Sequence, residues 1–293
     1  MENRLNQVKT GTYIQEGKIT KKENRIDSLF NKLRNNGQKA LIPFITCGYP
    51  TLENSVKLFN ILEKNGADII EIGIPFSDPL ADGPVIQEAS GIALENGINT
   101  DNVMDTIAVI RESSEIPVVI MAYFNTVYRY GIRRFLERAE NTGADGLIIP
   151  DLPLEEYINY RQYFNDYPSI DVIMLASLTS QMERLQKIAE VCRGFLYCVA
   201  VKGVTGAREG ISREIKEFLV KLRGIADLPL ALGFGISDPS QVLEVRKYCD
   251  GIIIGSKILS MVSGRGNFTD SLKKLEKFIT EINIILREPG ICK

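Results

Sequence analysis

Eight short runs rich in Ile, Val and Leu, at 40–46, 68–74, 117–122, 146–150, 171–176, 195–201, 229–234 and 250–255, constrain this chain most. They are nearly continuous rather than alternating, as strands buried on both faces must be. Between them lie stretches with helical spacing. Ser55, Val56, Leu58, Phe59 and Leu62 precede Gly66, and Ile132, Phe135, Leu136 and Ala139 precede Gly143. Eight strands alternating with helices over about 250 residues predict a (β/α)8 TIM barrel in a single domain rather than an open doubly wound sheet. A chain of 293 residues with 44% hydrophobic content can bury such a core.

Residues 1–24 are polar, mixed in charge and without an apolar period, so they read as an extension ahead of a barrel domain at 25–288. An N-terminal helix is expected from Ile26, Leu29, Phe30 and Leu33, stopping at Asn36-Gly37. A weak repeat links Asn65-Gly-Ala-Asp with Thr142-Gly-Ala-Asp, each opening a strand after a Gly-capped helix. The same helix-to-strand turn chemistry, used twice, explains it as well as duplication does.

Several function classes are excluded. Lys and Arg total 35 against 37 Asp and Glu, so no basic field attracts nucleic acid. No apolar run approaches the ~18–20 residues of a membrane helix, and Met-Glu-Asn-Arg-Leu-Asn-Gln lacks the apolar core of a secretory signal. Five scattered cysteines without a CxxC pair suit a reducing, cytoplasmic compartment and argue against a zinc or disulfide framework. Cys192 and Cys198 read as packing residues. Histidine is absent altogether. That removes Ser-His-Asp and Cys-His machinery, His-ligated metal and the usual proton shuttle at neutral pH. Acid–base chemistry must come from Asp, Glu, Tyr or Lys.

The segment 69–84, Ile-Ile-Glu-Ile-Gly-Ile-Pro-Phe-Ser-Asp-Pro-Leu-Ala-Asp-Gly-Pro, supplies the acids. Glu71 sits in an apolar strand, where a carboxylate is costly unless paired, hydrated or used. Asp78 and Asp82 follow in a loop broken by Pro and Gly. Barrels of this kind carry chemistry at the C-terminal strand ends. The connection from the second strand to the third is long, roughly 40 residues, and long connections serve as lids or interaction surfaces.

Glycines cluster at the end of the chain, in Lys202-Gly-Val-Thr-Gly-Ala-Arg, Gly233-Phe-Gly-Ile-Ser and Gly255-Ser-Lys-Ile. Consecutive backbone N–H groups there can form a nest for phosphate. Ser256–Ser263 reads as a short extra helix ahead of the amphipathic one at Leu272, Leu275, Phe278, Ile279 and Ile282. Lys202, Arg208 and Lys257 read as solvated, because nests bind phosphate without a cation. Tyr197, Phe44 and Tyr123 lie inward near strand ends, where core packing and a flat apolar substrate both account for them.

Across residues 25–285 the chain resembles the tryptophan synthase alpha family. The resemblance rests on Leu-Ile-Pro-Phe-Ile-Thr at 41–46, the Glu71–Pro84 segment, Tyr123-Phe-Asn, Gly-Val-Thr-Gly at 203–206, Gly-Phe-Gly-Ile-Ser at 233–237 and Gly-Ser at 255–256. It implies retro-aldol cleavage of indole-3-glycerol phosphate to indole and glyceraldehyde 3-phosphate, without a cofactor or metal in this chain. It also implies docking on a pyridoxal-phosphate beta subunit in a heterotetramer of two alpha and two beta chains. Glu71 and Asp82 match the family's catalytic pair, and Tyr197 a tyrosine near the reacting centre. Phe44, Tyr123 and Phe234 match residues around the indole. Gly206, Gly235, Gly255 and Ser256 match the phosphate site, and Thr205 a residue that closes a loop over it. Asp78 and Pro79 are expected to face the partner. The chain departs from the family at Leu175-Ala-Ser-Leu178-Thr-Ser and at Val199-Ala-Val-Lys202, which bears on loop closure and partner response. A standalone lyase releasing free indole and a non-catalytic activator of beta are the alternatives. A sugar-phosphate isomerase fits less well, lacking histidine.

Overall fold

The computed structural model describes residues 24–199, 212–233, 235–263 and 267–288, together with a two-residue antiparallel pair, Ile14–Gln15 against Lys18–Ile19. The barrel strands are Ala40–Thr46, Ile70–Gly73, Val118–Met121, Gly146–Ile148, a fifth in two segments at Asp171–Ile173 and Leu175–Ser177, Leu196–Val199, Leu230–Gly233 and Gly251–Ile254. All eight runs read from the sequence are strands. Every neighbouring pair is parallel. The fifth strand closes the ring, since its first segment pairs with the fourth strand and its second with the sixth.

Side chains of alternate residues fill the interior. Ile42, Ile69, Val119, Ile148, Ile173, Phe195, Ala231 and Ile253 form one inner cluster. The opposite parity, with Leu41, Ile45, Ile70, Ile72 and Val118 among it, packs outward on the helices. Both faces of each strand are therefore dry, which is why the runs read as continuous.

Helix α1 (Arg25–Asn35) closes the N-terminal mouth, its Ile26, Phe30 and Leu33 joining the inner cluster. The rings of Phe30 and Phe195 lie 5.8 Å apart. Asn24 caps the helix by accepting from the Ile26 and Asp27 backbone, and its amide donates to Asp171 at 2.6 Å. Asn24 thus belongs to the folded unit, one residue earlier than the expected boundary at 25. With that mouth plugged, the C-terminal mouth is the open one.

The long connection after the second strand is mostly helical. It holds α3 (Pro84–Glu95) and α4 (Thr100–Arg111), so its lid-like part is confined to the turn at 74–83. The short extra helix exists as α11 (Ser256–Met261), followed by α12 (Phe268–Arg287).

The repeated Gly-Ala-Asp is turn chemistry. Asp68 accepts from the Leu41 backbone at 2.8 Å and pairs with Arg287 at 2.7 Å. Asp145 accepts from Val118 at 2.9 Å and pairs with Arg111 at 2.7 Å. Each stitches a strand's entry to its neighbour. Asp250 does the same for Leu230, with Arg223 as its cation.

Candidate active site

The open mouth holds a cavity of about 570 Å³. Glu71 projects into it from the second strand, in register with Phe44 of the first. The Glu71 side chain is 1% exposed, and neither carboxyl oxygen has a hydrogen-bond partner among the described residues. Burial, with the charge of Asp82 adding, pushes its pKa up to about 8. A group so placed is protonated at neutral pH.

Asp82 reaches the same cavity from the turn at 74–83. Tyr123 holds it, donating its hydroxyl to Asp82 Oδ2 at 2.9 Å and accepting from the Ala81 backbone at 3.0 Å. The Tyr123 ring stacks on Phe76 at 4.9 Å, fixing both ends of the clamp. Burial raises Asp82 to about 6 and the Tyr123 hydrogen bond works against that rise. The acid therefore stays mostly ionised at pH 7. Two carboxyls at one mouth are thus set to opposite protonation states by their surroundings.

Of the expected substrate contacts, Phe44 and Tyr197 line the cavity. The Phe44 ring lies over Gly73 and Gly255, where an added Cβ would come within 2.7 Å and 3.2 Å of it. Tyr197 lies over Gly233, where an added Cβ would meet its ring at 2.5 Å. Gly233 and Gly255 therefore make room for aromatic rings, a role the reading of anion nests had missed. Tyr123 is not on the main wall. It stands behind Asp82, 4% exposed, beside a small side cavity.

Gly235, Ser237, Gly255 and Ser256 also line the cavity. Gly235 has φ +75°, and nothing lies within 4 Å of where its Cβ would be, so its backbone is open to a ligand. The ammonium of Lys257 lies 5.9 Å from the Phe278 ring centroid, which occupies it with an aromatic face. Thr205, Gly206, Phe234, Lys202 and Arg208 lie outside the described residues.

In the partner-facing loop Asp78 is exposed, but Pro79 is buried and does not point outward. Leu80 takes that place at 92% exposure. A proline following an exposed acid carries no signal for this, whereas an apolar residue between Pro and Ala in a polar loop does. Sequence reasoning also missed Met121, Ile148, Leu175, Ile236 and Ile253, the apolar part of the cavity wall. Inward parity on strands already assigned would have found most of them. Leu178, one of the departures, is half-buried against the outer core, and of the second departure Val199 ends the sixth strand. Cys192 and Cys198 are buried, as packing residues are.

The Trp_syntA family profile, tryptophan synthase alpha chain, matches residues 30–285. The chain belongs to the tryptophan synthase alpha chain family. It is 45% identical over 263 residues to that chain of Caldanaerobacter subterraneus subsp. tengcongensis, covering 90% of this protein and 100% of the relative. It is 46% identical over 259 residues to that of Clostridium kluyveri, covering 88% and 98%. Among solved structures, tryptophan synthase subunit alpha from Legionella pneumophila superposes with a TM-score of 0.83 at 34% identity, covering 90% of this chain and 99% of that one. A tryptophan synthase structure from Mycobacterium tuberculosis superposes at 0.82 with 32% identity, covering 91% and 99%.

The chain is accordingly a lyase of tryptophan biosynthesis, its reaction the cleavage of indole-3-glycerol phosphate. Tryptophan synthase alpha chains bind no cofactor of their own; pyridoxal phosphate belongs to the beta chain, their partner in an alpha2beta2 complex. No helix among the described residues is long and apolar enough to cross a membrane.

Proposed function

We propose that Glu71 and Asp82 carry the cleavage of indole-3-glycerol phosphate in this chain. The observation behind this is a fully buried, unpaired Glu71 with a pKa near 8 facing the same cavity as an ionised Asp82. Protonated Glu71 delivers its proton to indole C3. The resulting charge at N1–H is stabilised by the Asp82 carboxylate. Glu71, now a carboxylate, removes the proton from the side-chain hydroxyl. The bond from C3 to that carbon breaks, its electrons restore the indole, and the carbon becomes the aldehyde of glyceraldehyde 3-phosphate. Glu71 ends protonated, ready for the next turnover.

The indole is assigned to the end walled by Phe44, Met121, Leu175 and Tyr197. The phosphate is assigned to the backbone of Gly235, Gly255 and Ser256; the family match adds Gly206 and Thr205, which lie outside the described residues. We place the partner contact at Asp78 and Leu80, with buried Pro79 as the support beneath them. The protein is assigned to the cytoplasm, where its cysteines stay reduced.

The test is indole release from indole-3-glycerol phosphate by the pure protein, with and without a beta subunit. Glu71→Gln and Asp82→Asn should each lose activity by ~10²–10⁴-fold, the range for general acid–base groups. A near-normal kcat in either variant removes that residue from the mechanism. Turnover that beta does not change favours a standalone lyase.

A further inference from the structure

Behind Asp82 the main cavity opens into a side cavity of about 10 Å³. One water needs ~10–15 Å³ on this scale, with two to four polar partners. Four polar side chains line it, Thr46, Asp82, Ser90 and Tyr123, and it shares Phe44 and Met121 with the main cavity. Thr46 closes the first strand, is 1% exposed, and its Oγ1 has no hydrogen-bond partner among the described residues. A buried hydroxyl left so is costly, on the order of 1–3 kcal/mol, unless something satisfies it. The Tyr123 hydrogen is already given to Asp82, so it cannot serve Thr46.

We infer that this side cavity is a single-water site, in which one water bridges Thr46 Oγ1 and the Asp82 carboxyl and makes Thr46 a positioning residue for the reaction. The inference rests on Asp82 acting as an ionised carboxylate. The water donates to Asp82 from the side away from the substrate, while Tyr123 donates through its own hydroxyl. Two donors hold the carboxylate ionised and aimed at the cavity, against the desolvation that raises its pKa. Thr46 is suited to anchor this water because it stands on a barrel strand, whereas Asp82 is carried on a turn. Among the described residues, the titratable groups facing Asp82 are Glu71 from the second strand, Tyr197 from the sixth and Tyr123 after the third. Phe44 and Thr46 from the first strand, and Ile86 and Ser90 from α3, carry no charge.

Two measurements test the site. A crystal structure of the full chain, at a resolution that places waters, should hold one within hydrogen-bond distance of both Thr46 Oγ1 and the Asp82 carboxyl. In Thr46→Val, which keeps shape and branching, that water should be absent. The acidic limb of its kcat/KM profile should then move up by ~0.5–1 pH unit, since the carboxylate has lost a donor. Thr46→Ser should restore both the water and the limb, which a purely structural role for the residue would not require. A wild-type structure with a dry side cavity overturns the inference, as does an unmoved limb in the valine variant. Failure of the broader catalytic reading looks different. There, Asp82→Asn would keep its activity while the crystallographic water stayed in place.

Discussion

Glu71→Gln should make the protein more stable, by an amount that depends on pH. In the folded chain burial pushes the carboxyl up to about 8 from its ordinary 4.5. Its folded pKa is raised, so between these values the folded state holds a proton that the unfolded state has released. Stability is then lost as pH rises through that window. Gln has the shape of the protonated acid and no charge to bury. At ~1.36 kcal/mol per pKa unit, the gap between variant and wild type should be about 1 kcal/mol at pH 5. It should grow to about 3 at pH 7 and level off on the order of 5 kcal/mol above pH 8. For a chain of this size each kcal/mol moves the thermal midpoint by ~2–4 °C, so the plateau corresponds to ~10 °C or more. The assay is thermal and urea unfolding of both proteins at matched pH values from 5 to 9. Titrations common to the two chains cancel in the difference. A gap that stays flat across this range refutes the raised pKa, and with it the argument that Glu71 starts the reaction as an acid.

Activity should show the same two groups from the other side. The kcat/KM profile of the isolated chain should be bell-shaped, rising near pH 6 as Asp82 ionises and falling near pH 8 as Glu71 loses its proton. Activity unchanged through pH 9 would contradict it. Gly233→Ala should force the Tyr197 ring off its place, lowering stability by ~1–3 kcal/mol and indole release with it, read by urea unfolding and the lyase assay. Asn24→Ala should cost about 1–2 kcal/mol in the same unfolding assay, through the lost helix cap and the lost bond to Asp171.

The barrel was legible because its strands are buried on both faces, so hydrophobicity alone marks them. Glu71 was legible for the same reason turned round, as one acid inside a run that tolerates none. What was not legible depends on which side chain reaches which neighbour. Three glycine-rich segments looked alike, yet Gly233 and Gly255 accommodate rings while Gly235 opens toward the cavity. Pro79 does not point outward as expected, because the turn buries its ring and leaves the neighbouring Leu80 out. Tyr123 stands at a strand end, as substrate-facing aromatics do, but its hydroxyl binds the loop that carries Asp82. Periodicity gives a residue's face, and only the fold of the following turn gives its partner.

Several acids of this barrel differ in their partners between its two mouths. At the N-terminal mouth Asp68, Asp145 and Asp250 each have an arginine and a backbone N–H. Those arginines come from α12, α4 and the helix Arg213–Arg223, so the pairs tie the outer helices to the strand entries. Asp145 is paired a second time with Arg25 and Asp250 with Lys39, so two of these acids keep a cation if the arginine is lost. At the C-terminal mouth, among the described residues, Glu71 has no hydrogen bond and no cation shifting it, and a phenol donates to Asp82. An arginine placed beside Glu71 would satisfy it, lower its pKa and end its use as an acid at neutral pH. The acid role proposed for Glu71 depends on no cation standing beside it. At the other mouth burial still raises Asp68 and Asp145, so their arginines offset a desolvation cost that the active mouth leaves unopposed at Glu71.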